Sequence, residues 1–168
     1  MQLFLVRHAK AVERSFDIPE ENRYLTPEGR ERFRSAAASL RKKGMAPEVI
    51  VSSPLVRAVQ TAEILADALS FKGLLPVDEL LAPGFSLAQL RKLLARHPGV
   101  NSLACVGHEP DLGEIGGALL KVSEAFSLSK GGVLALEWEP QAEEQGARFL
   151  WLLAKGEFYT DPATLTSH

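Results

Sequence analysis

Three short apolar runs, each ending abruptly at polar or charged residues, dominate the hydrophobic pattern of the chain. They are Leu3–Val6, Val49–Val51 and Leu103–Val106. Unbroken aliphatic runs of this length are typical of strands that are buried on both faces of a parallel sheet. The carboxyl ends of parallel strands meet at one edge of the sheet, where ligands of open α/β folds bind. We therefore expect the residues that follow the three runs to lie together at that edge.

Helical periodicity and capping residues predict the helices between these runs. The first helix is predicted from Thr26, a good N-cap, to Gly44, a good terminator. A second is predicted to open with Ser53 as its N-cap, in front of a proline at the first helical position. Two more are predicted to start at Ser86 and Pro110.

The remaining segments complete the predicted architecture. Lys10–Leu25 is polar and has no period, and since long irregular segments are often functional we expect it to form one wall of the site. Pro76–Val77 is predicted as a short strand, and Gly132–Trp138 with Arg148–Leu153 as an antiparallel hairpin. We predict one α/β domain over residues 1–168, a three-layer α/β/α sandwich with a mostly parallel central sheet and an antiparallel edge.

Composition limits the classes of partner. Hydrophobic residues make up 46% of the chain and charged residues 24%, which are ordinary values for a globular protein. The net charge of -2 argues against a general affinity for nucleic acid or for an anionic membrane. The start lacks the pattern of a signal peptide and no apolar run reaches membrane-spanning length, so we expect a cytoplasmic protein. The single cysteine, Cys105, lies in an apolar run and is expected to be a small buried hydrophobe.

Four side chains that follow the predicted strands could bind an anion. They are Arg7, His8, Arg57 and His108. Guanidinium groups offer planar forks of donors to phosphoryl oxygens, and a neutral imidazole can attack phosphorus. Nearby arginines should hold the pKa of His8 below its ordinary value. His108 has to remain a donor, so a nearby carboxylate or the bound phosphoryl group should raise its pKa. These residue types indicate phosphoryl transfer.

The motifs Arg7-His8, Ser53-Pro54 followed by Arg57–Ala62, and Gly107-His108 resemble those of the histidine phosphatase superfamily. The chain looks closest to the SixA-like branch, the phosphohistidine phosphatases. The resemblance implies a phosphoglycerate mutase-like fold and a metal-independent hydrolase without a cofactor. It implies that His8 becomes transiently phosphorylated, that water then releases phosphate, and that the phosphoryl group is held by Arg7, Arg57 and His108. Many members have Arg-His-Gly where this chain has Ala9, and we expect a backbone there that suits both residues.

A general acid is harder to assign from the sequence. Glu79 is the first candidate, because it follows a predicted strand at about the place where the family carries an acid. Glu109 is the second candidate, because it directly follows His108. A plain surface charge is an equally simple interpretation of Glu79. A phosphohistidine substrate would require less of an acid, since imidazole leaves more readily than an alkoxide.

Four functions remain open at this point. The first is a phosphatase of phosphohistidine in a partner protein, such as a histidine-containing phosphotransfer domain. About fifty residues separate Arg57 from His108, which leaves little room for a lid. The second is a phosphatase of small phosphate esters or sugar phosphates with the same mechanism, and the third is a non-catalytic phosphate-binding module. The fourth, a dinuclear metal hydrolase built on His8, His108 and Asp111, lacks the carboxylates usual for such sites.

Overall fold

Six strands and four α-helices form within residues 1–124, 126–142 and 146–167, the part of the chain that the computed structural model describes. The strands are β1 (Gln2–Arg7), β2 (Val49–Ser52), β3 (Ser102–Gly107), β4 (Val133–Glu137), β5 (Arg148–Ala154) and β6 (Glu157–Tyr159). The helices are α1 (Pro27–Lys43), α2 (Val56–Ala68), α3 (Leu87–Ala95) and α4 (Asp111–Leu120). Short 3-10 helices span Glu20–Asn22, Glu79–Leu81 and Pro162–Ser167.

The strands pair in one mixed sheet with the order β2-β3-β1-β4-β5-β6. The three strands that the apolar runs predict lie side by side and parallel at its core. Strands β4, β5 and β6 continue the sheet in antiparallel pairing, so the antiparallel part holds one strand more than the predicted hairpin. The predicted α/β fold with a parallel core and an antiparallel edge is confirmed. The hairpin connection, predicted over residues 139–147, lies partly outside the described residues.

Helices cover both faces of the sheet because alternate residues of each central strand point to opposite sides. Leu3 and Leu5 of β1 join the cluster beneath α3 and α4, whereas Phe4 and Val6 join the cluster beneath α1 and α2. Both clusters are closed to solvent, which explains why the central strands show no polar alternation. Cys105 is fully buried in the first cluster, as predicted, and burial raises its pKa to about 12.

The capping signals place α1 correctly and α2 two residues too early. Thr26 accepts a hydrogen bond from the amide of Gly29 at 2.9 Å, and Gly44 ends α1 with a φ of 88°. The prediction of Ser53 as an N-cap is wrong, because α2 begins at Val56 after Leu55. The Ser53 hydroxyl lies instead within hydrogen-bonding distance of a histidine described below.

The predicted strand at Pro76–Val77 is reduced to a single bridge. Val77 pairs with Ser52 at the end of β2, and the amide of Asp78 donates to the Ser52 carbonyl at 2.9 Å. The chain then turns at once into the 3-10 helix that starts at Glu79, so a ladder cannot extend. The predicted helix start at Ser86 is confirmed by a capping box.

None of the helices in the described ranges has the length and apolar character needed to cross a membrane.

Candidate active site at the carboxyl edge of the sheet

Strand register brings the predicted site residues to one edge. Arg7 of β1 lies opposite Gly107 of β3, so the residues that follow them, His8 and His108, leave the sheet side by side. The amide of His8 donates to the Gly107 carbonyl at 3.0 Å, which fixes the start of the first loop. On the other side of β3, the amide of Ser53 donates to the carbonyl oxygen of Val106 at 2.9 Å. The three loops therefore leave the edge at the same level.

His8 lies in the centre of this group and is only 8% exposed. Its Nδ1 is 2.7 Å from the carbonyl oxygen of Ala9. A carbonyl oxygen can only accept, so Nδ1 carries the hydrogen in the neutral ring and Nε2 keeps a lone pair. The Nε of Arg57 donates to that Nε2 at 3.3 Å. The ring is thus held in the tautomer whose unprotonated nitrogen, Nε2, faces the Arg57 guanidinium.

Burial is the main reason why His8 is neutral. Burial lowers the pKa of His8 most, and the hydrogen bond to the Ala9 carbonyl opposes it. Together with the charges of Arg57, Arg7 and Arg23, which also lower it, the resulting pKa is about 4. The predicted direction is confirmed, although desolvation contributes more than the arginines.

His108 contradicts its predicted titration. Its ring centroid lies 5.3 Å from that of His8, and its Nε2 is 2.7 Å from the hydroxyl of Ser53. Burial first, and then the charges of His8 and Arg57, lower its pKa to about 3, although the Glu20 carboxylate acts in the opposite direction. The prediction that a nearby carboxylate raises this pKa is wrong for the free protein, because no carboxylate contacts the ring among the described residues, while the effect of a bound phosphoryl group stays a prediction. A neutral imidazole can still donate one hydrogen bond.

Arg57 is almost fully buried and is already occupied on its outer side. Its Nη1 donates to the carbonyl oxygen of Glu20 at 2.8 Å, and its Nη2 lies 3.2 Å from the Glu20 carboxylate. The same carboxylate pairs with Arg14 at 3.2 Å and with Arg23 at 2.8 Å. Burial opposes its ionisation, but the hydrogen bonds from Arg23 and Arg14 outweigh it and lower the pKa of Glu20. The segment predicted as a wall of the site therefore reaches Arg57 through Glu20.

Thr61, one turn after Arg57, ties this helix to the loop that follows β1. Its hydroxyl accepts from the amide of Ala9 at 3.0 Å and donates to the Arg57 carbonyl at 2.7 Å. Ala9 itself is not among the described residues with a positive φ, so alanine fits where many family members have glycine.

Arg7 points toward a different neighbour. Its Nη1 donates to the carbonyl oxygen of Leu128 at 2.6 Å, and its Nε is buried without a hydrogen-bond partner in the described part of the chain. The structure thus brings His8 into contact with Arg57 on one side and the His108 ring on the other, and places Arg7 beside them through the strand.

The two candidate acids lie in different surroundings. Glu79 is exposed at the start of its 3-10 helix, and none of the hydrogen bonds found in the described residues joins it to the site. Glu109 is half-buried and directs Oε1 at the amide of Leu128, 3.1 Å away. Asp111, considered above as a metal ligand, accepts instead from the amides of Gly84 and Phe85.

Sequence reasoning missed Glu20, Arg23, Thr61 and the hydroxyl of Ser53. Glu20 and Arg23 lie in an aperiodic loop, where no pattern shows which side chains turn inward. Ser53 does carry a signal, since it follows the second apolar run directly. Capping was the simpler interpretation of that signal.

Comparison with known proteins tests the resemblance. The model of the histidine phosphatase superfamily, branch 1, matches residues 3–81. An uncharacterized protein of Picosynechococcus sp. is 37% identical over 144 residues, which cover 81% of this chain and 84% of that relative. The chain belongs to the histidine phosphatase superfamily.

Solved structures of this superfamily share the fold. The protein histidine phosphatase SixA, complexed with tungstate, matches with a TM-score of 0.80 at 23% identity, over 92% of this chain and 97% of that one. A mycobacterial glucosyl-3-phosphoglycerate phosphatase, complexed with VO3, matches with a TM-score of 0.67 at 19% identity, over 88% of this chain and 96% of that one. The relatives are phosphatases of both protein and small-molecule type, and membership of the superfamily supports hydrolase activity for this chain.

Proposed function

We propose that this protein is a phosphatase that removes the phosphoryl group from phosphohistidine in a signalling or phosphotransfer protein. The observation that carries the proposal is the state of His8. Its Nε2 is unprotonated at neutral pH and accepts a hydrogen bond from the buried guanidinium of Arg57, which a bound phosphoryl group would draw onto its own oxygens, freeing the lone pair for attack. A neutral nitrogen next to fixed positive charge is what in-line attack on a phosphoryl group requires.

The reaction proceeds in two displacements. In the first, the Nε2 lone pair of His8 forms a bond to phosphorus while the phosphorus–nitrogen bond of the substrate breaks. The leaving imidazole keeps that electron pair and takes up a proton from solvent. In the second, water attacks phosphorus and gives one proton back to solvent, the pair of the breaking bond returns to Nε2, and hydrogen phosphate leaves. Both transition states are stabilised by donors from Arg7, Arg57 and His108.

These donors provide the charge that phosphoryl transfer needs, so we propose a metal-independent reaction. Arg7 and Arg57 remain cationic at any physiological pH. His108 lies beside them as a neutral ring in the free protein, and a bound phosphoryl dianion would favour its protonation. Ser53 orients the ring through its hydroxyl.

Two observations favour a phosphohistidine substrate over an alkyl phosphate. No acid is poised at the site in the described residues: Glu79 is exposed, and Glu109 is engaged with the main chain. Imidazole is a better leaving group than an alkoxide and can depart without a strong acid. In addition, α2 and α3 between Arg57 and His108 pack on the sheet faces, so they do not form a lid over the edge.

Phosphatase activity on small phosphate esters or sugar phosphates is the second candidate. The mycobacterial structural relative, a phosphatase of a glucosyl phosphoglycerate, favours it. Glu79 follows Val77, which pairs with the last residue of β2, and so lies near the carboxyl edge of the sheet. In that case Glu79 is the proposed proton donor, after movement of its short helix.

The two candidates are separated by comparing substrates. Release of phosphate is measured from a phosphohistidine protein and from a panel of sugar phosphates at equal concentration, with His97→Ala as a matched histidine control. We expect the phosphohistidine protein to have the higher kcat/KM by at least about 100-fold, which corresponds to at least about 2.7 kcal/mol of transition-state binding. A sugar phosphate with the higher value would reverse the assignment of substrate.

A further inference from the structure

Glu109 lies next to His108 and so invites the role of a proton donor, but its contacts point elsewhere. We propose that Glu109 is a positioning residue that holds the guanidinium of Arg7 in place through the main chain of Leu128. The proposal rests on the proposed function only in using Arg7 as a ligand of the phosphoryl group. The hydrogen bonds themselves do not depend on it.

Two hydrogen bonds link the carboxylate to the guanidinium. The Oε1 of Glu109 accepts from the amide of Leu128 at 3.1 Å, and the carbonyl oxygen of the same residue accepts from Nη1 of Arg7 at 2.6 Å. The Leu128 side chain is 1% exposed and packs in the core cluster beneath α4. Leu128 is thus fixed by its side chain, its amide and its carbonyl.

The backbone of α4 is shaped around the carboxylate. A Cβ on Gly113 would lie 2.7 Å from Oε2 of Glu109 and 2.3 Å from the carbonyl oxygen of Phe126. Both distances are closer than real contacts, so only glycine allows the carboxylate and this segment to approach the helix. The carboxylate therefore occupies a pocket built from the helix and the segment that carries Leu128.

Arg7 depends strongly on this arrangement. The bond to Leu128 is the one hydrogen bond that its side chain makes with the described residues, and its Nε is buried without a partner. A flexible guanidinium held by a single acceptor takes its orientation from that acceptor. A shift of about 1 Å in such a group can cost about 100-fold in rate.

A proton donor would need a different geometry. An acid that protonates the leaving group directs an oxygen toward the reacting atoms, within hydrogen-bonding reach. Here Oε1 must keep a lone pair for the Leu128 amide, and Oε2 is buried against Gly113. Burial raises the pKa of Glu109, while the amides of Leu128 and Gly113 and the charge of Arg7 act in the opposite direction. The partners that favour the ionised carboxylate are therefore the groups that Glu109 would hold in place as a positioning residue.

Two conservative variants separate the roles. Glu109→Gln keeps an oxygen at the right length to accept from Leu128 but cannot act as an acid. Glu109→Asp keeps the acid but is too short to reach the amide. Both are measured with p-nitrophenyl phosphate, which has a good leaving group, and with phenyl phosphate, which has a poor one. Inhibition by vanadate reports on the phosphoryl site without any proton transfer, and Glu114→Ala on the exposed face of α4 is the control.

The positioning role predicts that Glu109→Gln keeps kcat/KM within about threefold of the parent for both substrates. Glu109→Asp should lose about 10-fold to 100-fold for both, with a matching loss of vanadate affinity. The loss caused by Arg7→Ala should also be smaller in the Glu109→Asp background than in the parent, since the two changes disturb one interaction.

The opposite pattern would overturn the proposal. If Glu109→Gln fails selectively on phenyl phosphate while Glu109→Asp retains activity, the residue is an acid. If the losses from Glu109→Asp and Arg7→Ala multiply independently, or vanadate affinity stays unchanged, the carboxylate only stabilises the fold. A failure of the parent enzyme on every phosphohistidine substrate would refute the proposed substrate and leave these comparisons valid.

Discussion

At the level of single residues, the two histidines of the site constrain each other. Their ring centroids are 5.3 Å apart and both rings are buried, so a proton on either one disfavours a proton on the other. In the free protein both are neutral, because burial and the nearby arginines act in the same direction. A phosphoryl dianion would supply the missing negative charge and could then draw a proton onto His108. Ligand binding and protonation of the site are therefore coupled.

This coupling predicts an unusual pH dependence. In phosphate-free buffer, NMR titration of the ring carbons should give a pKa well below 6.5 for both His8 and His108. A lowered pKa means that the neutral, reactive form of His8 persists as the pH falls, so kcat/KM should decline on the acid side only near pH 4. Addition of vanadate should raise the pKa of His108. A free-protein pKa above 6.5 for His8 would show that burial and charge do not control its reactivity.

The sequence could predict the identity of these residues but only part of their titration. Arginines beside His8 are visible in the sequence, and they gave the correct direction. The pKa of His108 depends on how completely the ring is buried and on the absence of a contacting carboxylate, which only the folded chain shows. The same limit explains Ser53, whose hydroxyl could serve a helix or a histidine equally well.

At the level of elements, the loop between β1 and α1 controls access to Arg57. Glu20 accepts hydrogen bonds from Nη1 and Nη2 of Arg57 with its carbonyl and its carboxylate, and a phosphoryl group would use the same two donors of Arg57. The Glu20 side chain is 44% exposed and can move into solvent, but the Arg57 side chain is 5% exposed, so a bound phosphoryl group would have to replace the carboxylate as the negative partner of the guanidinium. A ligand must therefore compete with Glu20 for Arg57.

Removal of the competing carboxylate should strengthen anion binding. We expect Glu20→Ala to lower the inhibition constant of vanadate by about threefold to tenfold, as expected for the loss of an ion pair whose carboxylate is partly exposed. Glu21→Ala is the matched control, since it removes an exposed carboxylate from the same turn. Inhibition assays on the three proteins give the comparison. Weaker binding of vanadate by Glu20→Ala would mean that the carboxylate orients Arg57 for the ligand instead of competing with it.

Elements with strong local signals were predictable, and this loop was not. Apolar runs gave the three parallel strands, and Thr26, Ser86 and Gly44 gave correct helix ends. The loop could be named as a wall of the site because it leaves the catalytic edge. Its inward residues could not be named, because an irregular backbone has no repeating direction for its side chains. The strand predicted at Pro76–Val77 is wrong, because the segment is long enough only for a single bridge at Val77.

At the level of the whole molecule, sheet register creates the site. The pairing of Arg7 with Gly107, and of Ser52 with Val106, brings residues more than forty positions apart in the chain to one edge. A shift of one residue in either pairing would turn alternate side chains to the opposite face. The sequence could predict that the three strands are parallel neighbours, but not their order, because no sequence pattern shows that β3 lies between β1 and β2. The antiparallel strands complete the sheet on the side away from β2.

The central claim is that His8 forms a covalent intermediate with the phosphoryl group of the substrate. The most direct measurement is rapid quenching during turnover of a ³²P-labelled phosphohistidine protein, followed by mapping of the labelled residue. We expect the label on His8, as a phosphohistidine that is acid-labile, base-stable and chemically competent to release phosphate. His97→Ala should label like the parent, whereas His8→Ala should neither label nor turn over. Normal turnover by His8→Ala, or a label on any other residue, would contradict the account.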